Sequence, residues 1–225
     1  MDAVPASRLV SVRDLYDYDE IRALPDATVI VVQPLAAALV LGSSQSEDVL
    51  EPSDCEVTRV RRRRGGGGIV LVAPDDLWVD WWIPVGDTRW RADSRESSQL
   101  VGEWWRDALS ARLGGELEIH QGGLEGVVAH RVVCFAGRGP GEVFWSGLKV
   151  VGVTQWRVRE GVFLSSIVPS RAARSILDCL VAPPEDLASS LAHHTTASLG
   201  LDVTDVSRVL AASGHWATSS IQPAL

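Results

Sequence analysis

A run of arginines that leads directly into four consecutive glycines constrains this chain more than any other feature. Arg59 and residues 61–64 precede the glycines at 65–68, and the apolar residues 69–73 follow with the composition of a strand. Glycine has no Cβ, so its amide groups can approach an anionic or bulky ligand closely. The run is therefore either a solvated loop or part of a binding site, and the strand after it argues against a simple linker.

Length and composition favour a single globular domain. The chain has 225 residues, of which 46% are hydrophobic, enough to bury one substantial core but few for two independent ones. The first ten residues lack the pattern of a secretory signal, and no apolar run approaches the roughly 20 residues of a membrane helix. We expect one domain over residues 1–225, without an accessory domain, in a cytoplasmic protein that does not enter a membrane.

The charge and the cysteine content exclude further classes of protein. The formal net charge of −8 argues against a nucleic-acid binder, because phosphate backbones require a sustained basic surface. The three cysteines, Cys55, Cys134 and Cys179, are odd in number and widely spaced, which fits neither a disulfide framework nor a paired-cysteine zinc site. This pattern predicts reduced cysteines in a reducing compartment.

The pattern of apolar residues predicts strands in the middle of the chain and helices at its end, which is typical of an α+β fold. Residues 146 and 147 are expected to form a hairpin turn, and residues 171–225 a helical cap on the same domain. The predicted strands are 28–33, 36–41, 69–73, 77–85, 117–120, 131–135, 142–145, 148–153 and 161–168. The predicted helices are 12–24, 94–113, 171–180, 185–193 and 205–211.

Two residues in the second half are candidates for chemistry. Lys149 is the only lysine of the chain and lies in an apolar strand, so it is either an exposed strand residue or an ammonium that a pocket requires. Cys134 also lies in an apolar segment, where a free cysteine is either a small buried hydrophobic residue or a reactive thiol. Neither residue alone distinguishes these alternatives.

Two motifs resemble signatures of one known family. The segment Arg62, Arg63, Arg64, Gly65, Gly66, Gly67 and Gly68 resembles the Arg-Arg-x-Ser-Gly-Gly-Gly signature of lipoate-protein ligases. Residues 149–155, from Lys149 through Gly152 to Gln155, resemble their Lys-Ile-x-Gly-Ser-Ala-Gln signature. Cys134 and Phe135, followed by Glu142 and Gly147, further resemble the cysteine-dependent octanoyltransferase branch of the same superfamily. The resemblance covers residues 36–168.

The resemblance implies a fold and a site. The fold is that of the biotin/lipoate protein ligase catalytic domain, an α+β fold with a mixed, largely antiparallel central sheet and flanking helices. Lys149 and Cys134 would be catalytic, with Lys149 stabilising charge on the acyl carbonyl. Arg62 or Arg64 would neutralise phosphate, and Trp78 or Trp82 would line the acyl tunnel. Substrate would be bound by Arg62, Arg63, Arg64, Gly65, Gly66, Gly67, Gly68, Gly152 and Gln155; no metal ligand is assigned.

Three activities are compatible with this resemblance, because the chain has Gly65 where the family has serine and no His-Asp pair follows the glycines. A ligase would use ATP and Mg²⁺ to activate lipoate or octanoate as an acyl-adenylate. A transferase would need no cofactor and would form a thioester on Cys134. A degenerate homologue would bind an acyl ligand or a partner without catalysis. The implied partners are lipoyl domains of 2-oxoacid dehydrogenase E2 subunits or the glycine cleavage H protein, with acyl carrier protein as an acyl donor.

Overall fold

Two β-sheets and five α-helices occur in the part of the chain that the structure describes. A computed structural model describes residues 12–51, 55, 57, 59–170, 173–194, 199–218 and 221–225. The strands are β1 (Val12–Asp14), β2 (Thr28–Val32), β3 (Ala38–Leu41), β4 (Val60–Arg62), β5 (Val70–Val72), β6 (Leu77–Pro84), β7 (Leu117–Ile119), β8 (Val143–Trp145), β9 (Leu148–Val158), β10 (Gly161–Val168) and β11 (Ala217–Thr218). The helices are α1 (Tyr18–Arg22), α2 (Ser94–Ser110), α3 (Val127–Val132), α4 (Leu187–His194) and α5 (Val203–Ser213), and 3₁₀ helices occupy Glu47–Val49, Cys134–Ala136 and Ala173–Cys179.

The larger sheet has seven strands in the order β11-β2-β6-β10-β9-β8-β7. Its neighbouring strands are antiparallel except for β11, which is parallel to β2. The smaller sheet has the order β1-β4-β3-β5, in which β4 is parallel to both neighbours and β3 is antiparallel to β5. The predicted α+β class with a mixed, largely antiparallel sheet is confirmed.

Strand alternation divides the core between the two faces of the larger sheet. In β6, Trp78 and Trp82 belong to one buried cluster with strands of the smaller sheet, while Val79 and Trp81 belong to another with α2 and α5. Successive side chains of a strand point to opposite faces, so one strand supplies both clusters. The larger sheet is therefore covered by helices on one face and by the smaller sheet on the other.

Helix α2 follows from its sequence. Asp93 caps it by accepting hydrogen bonds from the amides of Arg95 and Glu96, which satisfies two of the free N–H groups at a helix start. Its buried side chains include Val101, Trp105 and Leu109, at offsets of four residues that form one face. The helix predicted over 94–113 is confirmed, with its end at Ser110.

The strand predicted over 131–135 is wrong. Residues 127–132 form α3, and a 3₁₀ helix begins at Cys134. Valines at 127, 128, 132 and 133 favour a strand locally, but the amide of His130 donates to the Gly126 carbonyl and that of Val133 to the Ala129 carbonyl. Tertiary packing therefore decides the conformation of this segment. It also brings Cys134 close to His130.

The helix predicted over 12–24 is confirmed only in part. Val12–Asp14 is β1, which pairs with β4, and the helix is limited to Tyr18–Arg22 with Asp17 as its N-cap. Short helices also form in the C-terminal quarter, as predicted. Leu187 and Leu191 of α4 join the cluster beneath the smaller sheet, while Val209 of α5 joins the cluster around α2.

Cys55 and Cys179 form a disulfide, so the prediction of reduced cysteines is wrong for these two residues. They are 124 residues apart in sequence, yet their Cα atoms are 4.4 Å apart, because the amide of Glu51 donates to the Cys179 carbonyl and that of Val181 to the Val49 carbonyl. Sequence spacing does not reveal this contact, since two distant segments bring the cysteines together. Cys134 is a free, buried thiol.

No helix in the described ranges is both long and apolar enough to cross a lipid bilayer.

We expect the double variant Cys55→Ser/Cys179→Ser to lose about 2–5 kcal/mol in free energy of unfolding, because the bond restricts the unfolded chain across a long loop. Urea denaturation of the oxidised protein measures this difference. Adding a reductant should bring the wild type to the stability of the variant, and Cys134→Ser is the control that keeps the bond. A wild type whose unfolding is insensitive to reductant would contradict the prediction.

Candidate active site

A small apolar cavity of about 30 Å³ lies between the two sheets. Strands β3 and β5 of the smaller sheet form one wall, strands β6, β9 and β10 of the larger sheet form the opposite wall, and the segment that begins at Cys134 contributes at one side. The lining residues are Val40, Arg63, Val70, Val72, Trp78, Cys134, Phe135, Gly152, Val153, Thr154, Ser165 and Ile167. Of the residues singled out in the sequence, Arg63, Cys134, Gly152 and Trp78 therefore meet here.

Arg63 is a buried cation in the wall of this cavity. Its Nη1 donates to the Val40 carbonyl at 3.0 Å, and its Nη2 donates to the carbonyls of Gly66 and Gly68 at 2.8 and 2.7 Å. Burial lowers the pKa of the guanidinium, and the nearby Cys134 raises it in part. Arg63 thus fixes the glycine turn to strand β3 and keeps a positive charge beside the cavity.

The glycine turn requires glycine at two positions. Gly67 has φ +89°, and a Cβ built on it would lie 3.5 Å from Cys134 Sγ, 3.5 Å from His130 Nε2 and 3.2 Å from Arg63 Nη2. A Cβ on Gly68 would lie 2.4 Å from the His130 carbonyl oxygen, which no side chain tolerates. The turn therefore packs directly against the last turn of α3. Because Gly67 has no side chain, a gap remains between Cys134 Sγ, His130 Nε2 and the Arg63 guanidinium.

Main-chain hydrogen bonds hold Cys134 on both sides. Its amide donates to the Ile69 carbonyl at 3.1 Å, which joins it to the residue after the glycines. Its carbonyl accepts a hydrogen bond from Lys149 Nζ at 2.9 Å. The thiol is thereby fixed at the cavity wall by the glycine segment and by strand β9.

Lys149 is fully buried, and its ammonium is held by protein groups. Nζ lies 2.6 Å from Glu142 Oε1 and donates to the carbonyls of Cys134 and Gly137. It also lies 4.8 Å from the centre of the Phe135 ring. Burial raises the pKa of Glu142, and the charge of Lys149 opposes that shift. The exposed-strand alternative for Lys149 is excluded, because its ammonium is buried against one carboxylate and two main-chain carbonyls.

His130 belongs to this site, although the sequence analysis did not identify it. It lies on α3 one turn before Cys134 and is buried, and its Nδ1 makes no hydrogen bond to the described residues. Burial lowers its pKa to about 4, with further contributions from the positive charges of Lys149 and Arg63. The imidazole is therefore neutral at pH 7.

Arg62 and Arg64 are directed away from the cavity. Arg62 donates to the carbonyls of Gly42 and Gln45 and lies 3.5 Å from Glu47 Oε1. Arg64 lies 3.0 Å from Asp14 Oδ2, in an ion pair at the opposite edge of the glycine segment. The structure does not bring either guanidinium to the cavity.

Gln155 is also directed elsewhere. Its Nε2 donates to the Ser94 carbonyl and to Ser98 Oγ at the start of α2, on the helical face of the sheet. Its neighbour Thr154 faces the cavity and donates to the Gly66 carbonyl at 3.0 Å. Adjacent residues of a strand alternate between faces, so only one of the two reaches the cavity, and the structure selects Thr154.

A second buried polar group lies behind the cavity wall. Asp80 accepts hydrogen bonds from Tyr16 Oη at 2.7 Å and from Trp78 Nε1, and Trp78 and Ser165 line the cavity. Burial raises the pKa of Asp80 to about 7, although hydrogen bonds from Ser165, Tyr16 and Trp78 oppose the shift. Sequence reasoning missed this carboxyl group because it lies within an otherwise apolar strand.

Comparisons with solved structures identify the fold. A lipoate-protein ligase A bound with ATP matches with a TM-score of 0.68 and 14% identity, over 90% of this chain and 82% of that one. A Thermoplasma acidophilum protein with bound lipoic acid matches with a TM-score of 0.67 and 13% identity, over 94% and 87% of the two chains. A bipartite lipoate protein ligase from the same organism, analysed with its E2 lipoyl domain, matches with a TM-score of 0.65 and 13% identity, over 93% and 86%.

No protein-family model and no curated protein sequence matches the chain. At such low identities the structural likeness establishes the fold alone. The chain has the fold of lipoate-protein ligase catalytic domains, which confirms the fold that the two sequence motifs implied.

We expect Lys149→Met to lower the free energy of unfolding by about 3–5 kcal/mol, because it leaves the Glu142 carboxyl group buried without its counter-charge. The double variant Glu142→Gln/Lys149→Met should be more stable than Lys149→Met alone, since both charges are then absent. Arg64→Met, which breaks an exposed ion pair, is the control and should change stability by about 1 kcal/mol or less. Urea denaturation measures all three, and equal losses in Lys149→Met and Arg64→Met would contradict the prediction.

Stability should also depend on Asp80. The folded protein binds a proton at Asp80 more tightly than the unfolded chain, whose carboxyl has a pKa of 3.8. The free energy of unfolding should therefore decrease, by up to about 4 kcal/mol, as the pH rises from 4 through 7. Asp80→Asn cannot ionise and should remove this slope, whereas Asp75→Asn, at an exposed position, should retain it. Parallel pH profiles of wild type and Asp80→Asn would refute the assignment.

Proposed function

We propose that the protein transfers a lipoyl or octanoyl group to a lysine of an acceptor lipoyl domain through a thioester on Cys134. The observation that carries the proposal is a free thiol in the wall of an apolar cavity within a lipoate-protein ligase fold. This cavity, at about 30 Å³, is much smaller than the roughly 300–1,000 Å³ of small-molecule pockets, so its lining side chains must move apart to admit an acyl chain. Its apolar lining suits an aliphatic acyl chain.

In the first step the Cys134 thiolate attacks the carbonyl carbon of a carrier-bound acyl thioester. A carbon–sulfur bond forms to Sγ, the bond to the carrier sulfur breaks, and the carrier thiolate takes up the proton that the Cys134 thiol released. In the second step the neutral amine of the acceptor lysine attacks the same carbon. An amide bond forms, the bond to Sγ breaks, and the proton lost by nitrogen returns to the cysteine sulfur.

Two buried cations support this chemistry. Arg63 lies beside Cys134, and the interaction between the two raises the pKa of the guanidinium, so a thiolate at Cys134 is attracted to Arg63. Lys149 is a positioning residue, because its ammonium holds the Cys134 carbonyl at 2.9 Å and is engaged by Glu142 at the same time. In this proposal Lys149 orients the nucleophile instead of contacting the acyl oxygens.

A second candidate is an ATP-dependent ligase that forms an acyl-adenylate, with ATP and Mg²⁺ as required reactants. The structural neighbour bound with ATP favours it. Arg62 and Arg64 would supply phosphate contacts, but both are held here by Glu47 and Asp14. The geometry therefore supports the thioester route better, since it uses groups already at the cavity.

The neighbour analysed with its E2 lipoyl domain supports a lipoyl domain as the acceptor in either route. E2 subunits of 2-oxoacid dehydrogenases and the glycine cleavage H protein carry such domains, and acyl carrier protein would supply the octanoyl group. Octanoyl and lipoyl groups share the same eight-carbon chain and differ in the dithiolane ring at the end of the lipoyl group, so the acyl donor is part of the test.

We expect octanoyl-acyl carrier protein to place one octanoyl group on Cys134, detected by intact mass, and to acylate an added lipoyl domain without ATP. Cys134→Ala should abolish both products, because no thioester can form. The double variant Cys55→Ser/Cys179→Ser is the matched control, and its reaction should still occur at Cys134.

The contrary outcomes identify the other activities. Acylation of the lipoyl domain from octanoate, ATP and Mg²⁺ that survives Cys134→Ala would establish the ligase and overturn the thioester route. Binding of octanoate without product from either donor would indicate a degenerate homologue.

A further inference from the structure

We propose that His130 is a further catalytic residue, whose neutral Nε2–H donates a hydrogen bond to the oxyanion formed each time the Cys134 thioester is made or broken. The inference rests on the proposed transferase function and adds to it the group that stabilises the developing negative charge. Acyl transfer to and from a thiol passes through a tetrahedral intermediate with charge on the former carbonyl oxygen. A donor near Sγ that faces this oxygen accelerates both half-reactions.

The position of His130 follows from the helix that replaces the predicted strand. Helix α3 ends at Val132, the extended residue Val133 follows, and the 3₁₀ helix begins at Cys134, so His130 and Cys134 are four residues apart and their side chains both approach Gly67. Sγ and Nε2 both lie 3.5 Å from the point where Gly67 would carry a Cβ. The absence of that side chain leaves the space between nucleophile and imidazole open to an acyl carbonyl.

The charges around His130 favour a donor over a proton-accepting base. The groups that face the ring are Lys149 on β9, Arg63 before the glycine turn and Cys134. Burial and then the two cations lower the pKa of His130 to about 4, while the Cys134 main chain partly opposes the shift. A base would have to become an imidazolium between these two cations. A neutral imidazole that donates a hydrogen bond acquires no net charge, so its role is compatible with these surroundings.

The hydrogen-bonding state of the ring is compatible with a proton on Nε2. Nδ1 is without a close hydrogen-bond partner among the residues the structure describes, although the main chain of Cys134 interacts with the ring and partly opposes the lowering of its pKa. Nε2 is the ring nitrogen nearest the Gly67 gap. Arg63 is a weaker candidate for the same role, because its Nη2 already donates to the carbonyls of Gly66 and Gly68.

Glutamine, leucine and alanine at position 130 separate the possible roles. Glutamine places an amide N–H close to the position of Nε2 and cannot act as a base, while leucine fills similar space without a donor. We expect the single-turnover rate of thioester formation with octanoyl-acyl carrier protein to fall about 100–1,000-fold in His130→Leu and His130→Ala. His130→Gln should remain within about tenfold of the wild type, because it preserves the donor.

The outcomes distinguish this inference from the function on which it rests. If wild type forms no thioester on Cys134, the proposed function fails. If wild type reacts and His130→Leu reacts equally fast, only the role of His130 is overturned. If His130→Gln is as slow as His130→Leu, the imidazole acts as a base or by its shape, and donation to an oxyanion is refuted. Thermal unfolding of each variant, followed by tryptophan fluorescence, verifies that the compared proteins are folded.

Discussion

The buried ammonium of Lys149 is the interaction on which the arrangement of the site depends. An ammonium in an apolar core is stable only if its protons have acceptors and its charge has a partner. Glu142 and the carbonyls of Cys134 and Gly137 supply these, so the ion pair also fixes the segment that carries the thiol. Lys149 lies on strand β9 of the larger sheet, so its hydrogen bond to the Cys134 carbonyl holds Cys134 in a fixed position relative to that sheet. The same contact explains why a chain with 20 arginines and one lysine uses the compact ammonium at this position.

Arg63 has the corresponding role on the other side of the cavity. Its guanidinium bridges strand β3 to the carbonyls of the glycine turn, and the turn in turn packs against α3 through Gly68. Two cations thus lie close to a thiol and a neutral imidazole. Such an arrangement favours species that carry negative charge, which in the proposed acyl transfer are the thiolate and the oxyanion. The two buried cations and the apolar cavity therefore both support the proposed acyl transfer, although different strands supply them.

Regular burial explains which elements were predictable. Strands β6 and β10 and helix α2 follow from apolar periodicity, because each has a continuous buried face. The segment around Cys134 was misassigned because its valines have the local preference of a strand. That error concealed His130, because an extended segment would hold it about 13 Å from Cys134, whereas helix α3 brings both side chains close to Gly67. The disulfide escaped prediction for another reason, because its two cysteines meet only through the pairing of distant segments.

The sequence by itself determined that glycines 65–68 precede a strand, that Lys149 is the single lysine, and that the fold is α+β. These features depend on the properties of single residues and on local periodicity, and both can be read directly from the sequence. Only the tertiary structure decided that Arg63, and neither Arg62 nor Arg64, faces the cavity, that Thr154 replaces Gln155 there, and that His130 meets Cys134 beside Gly67. Such choices depend on which face of each element is buried against a distant partner, and that is settled only when the whole chain packs.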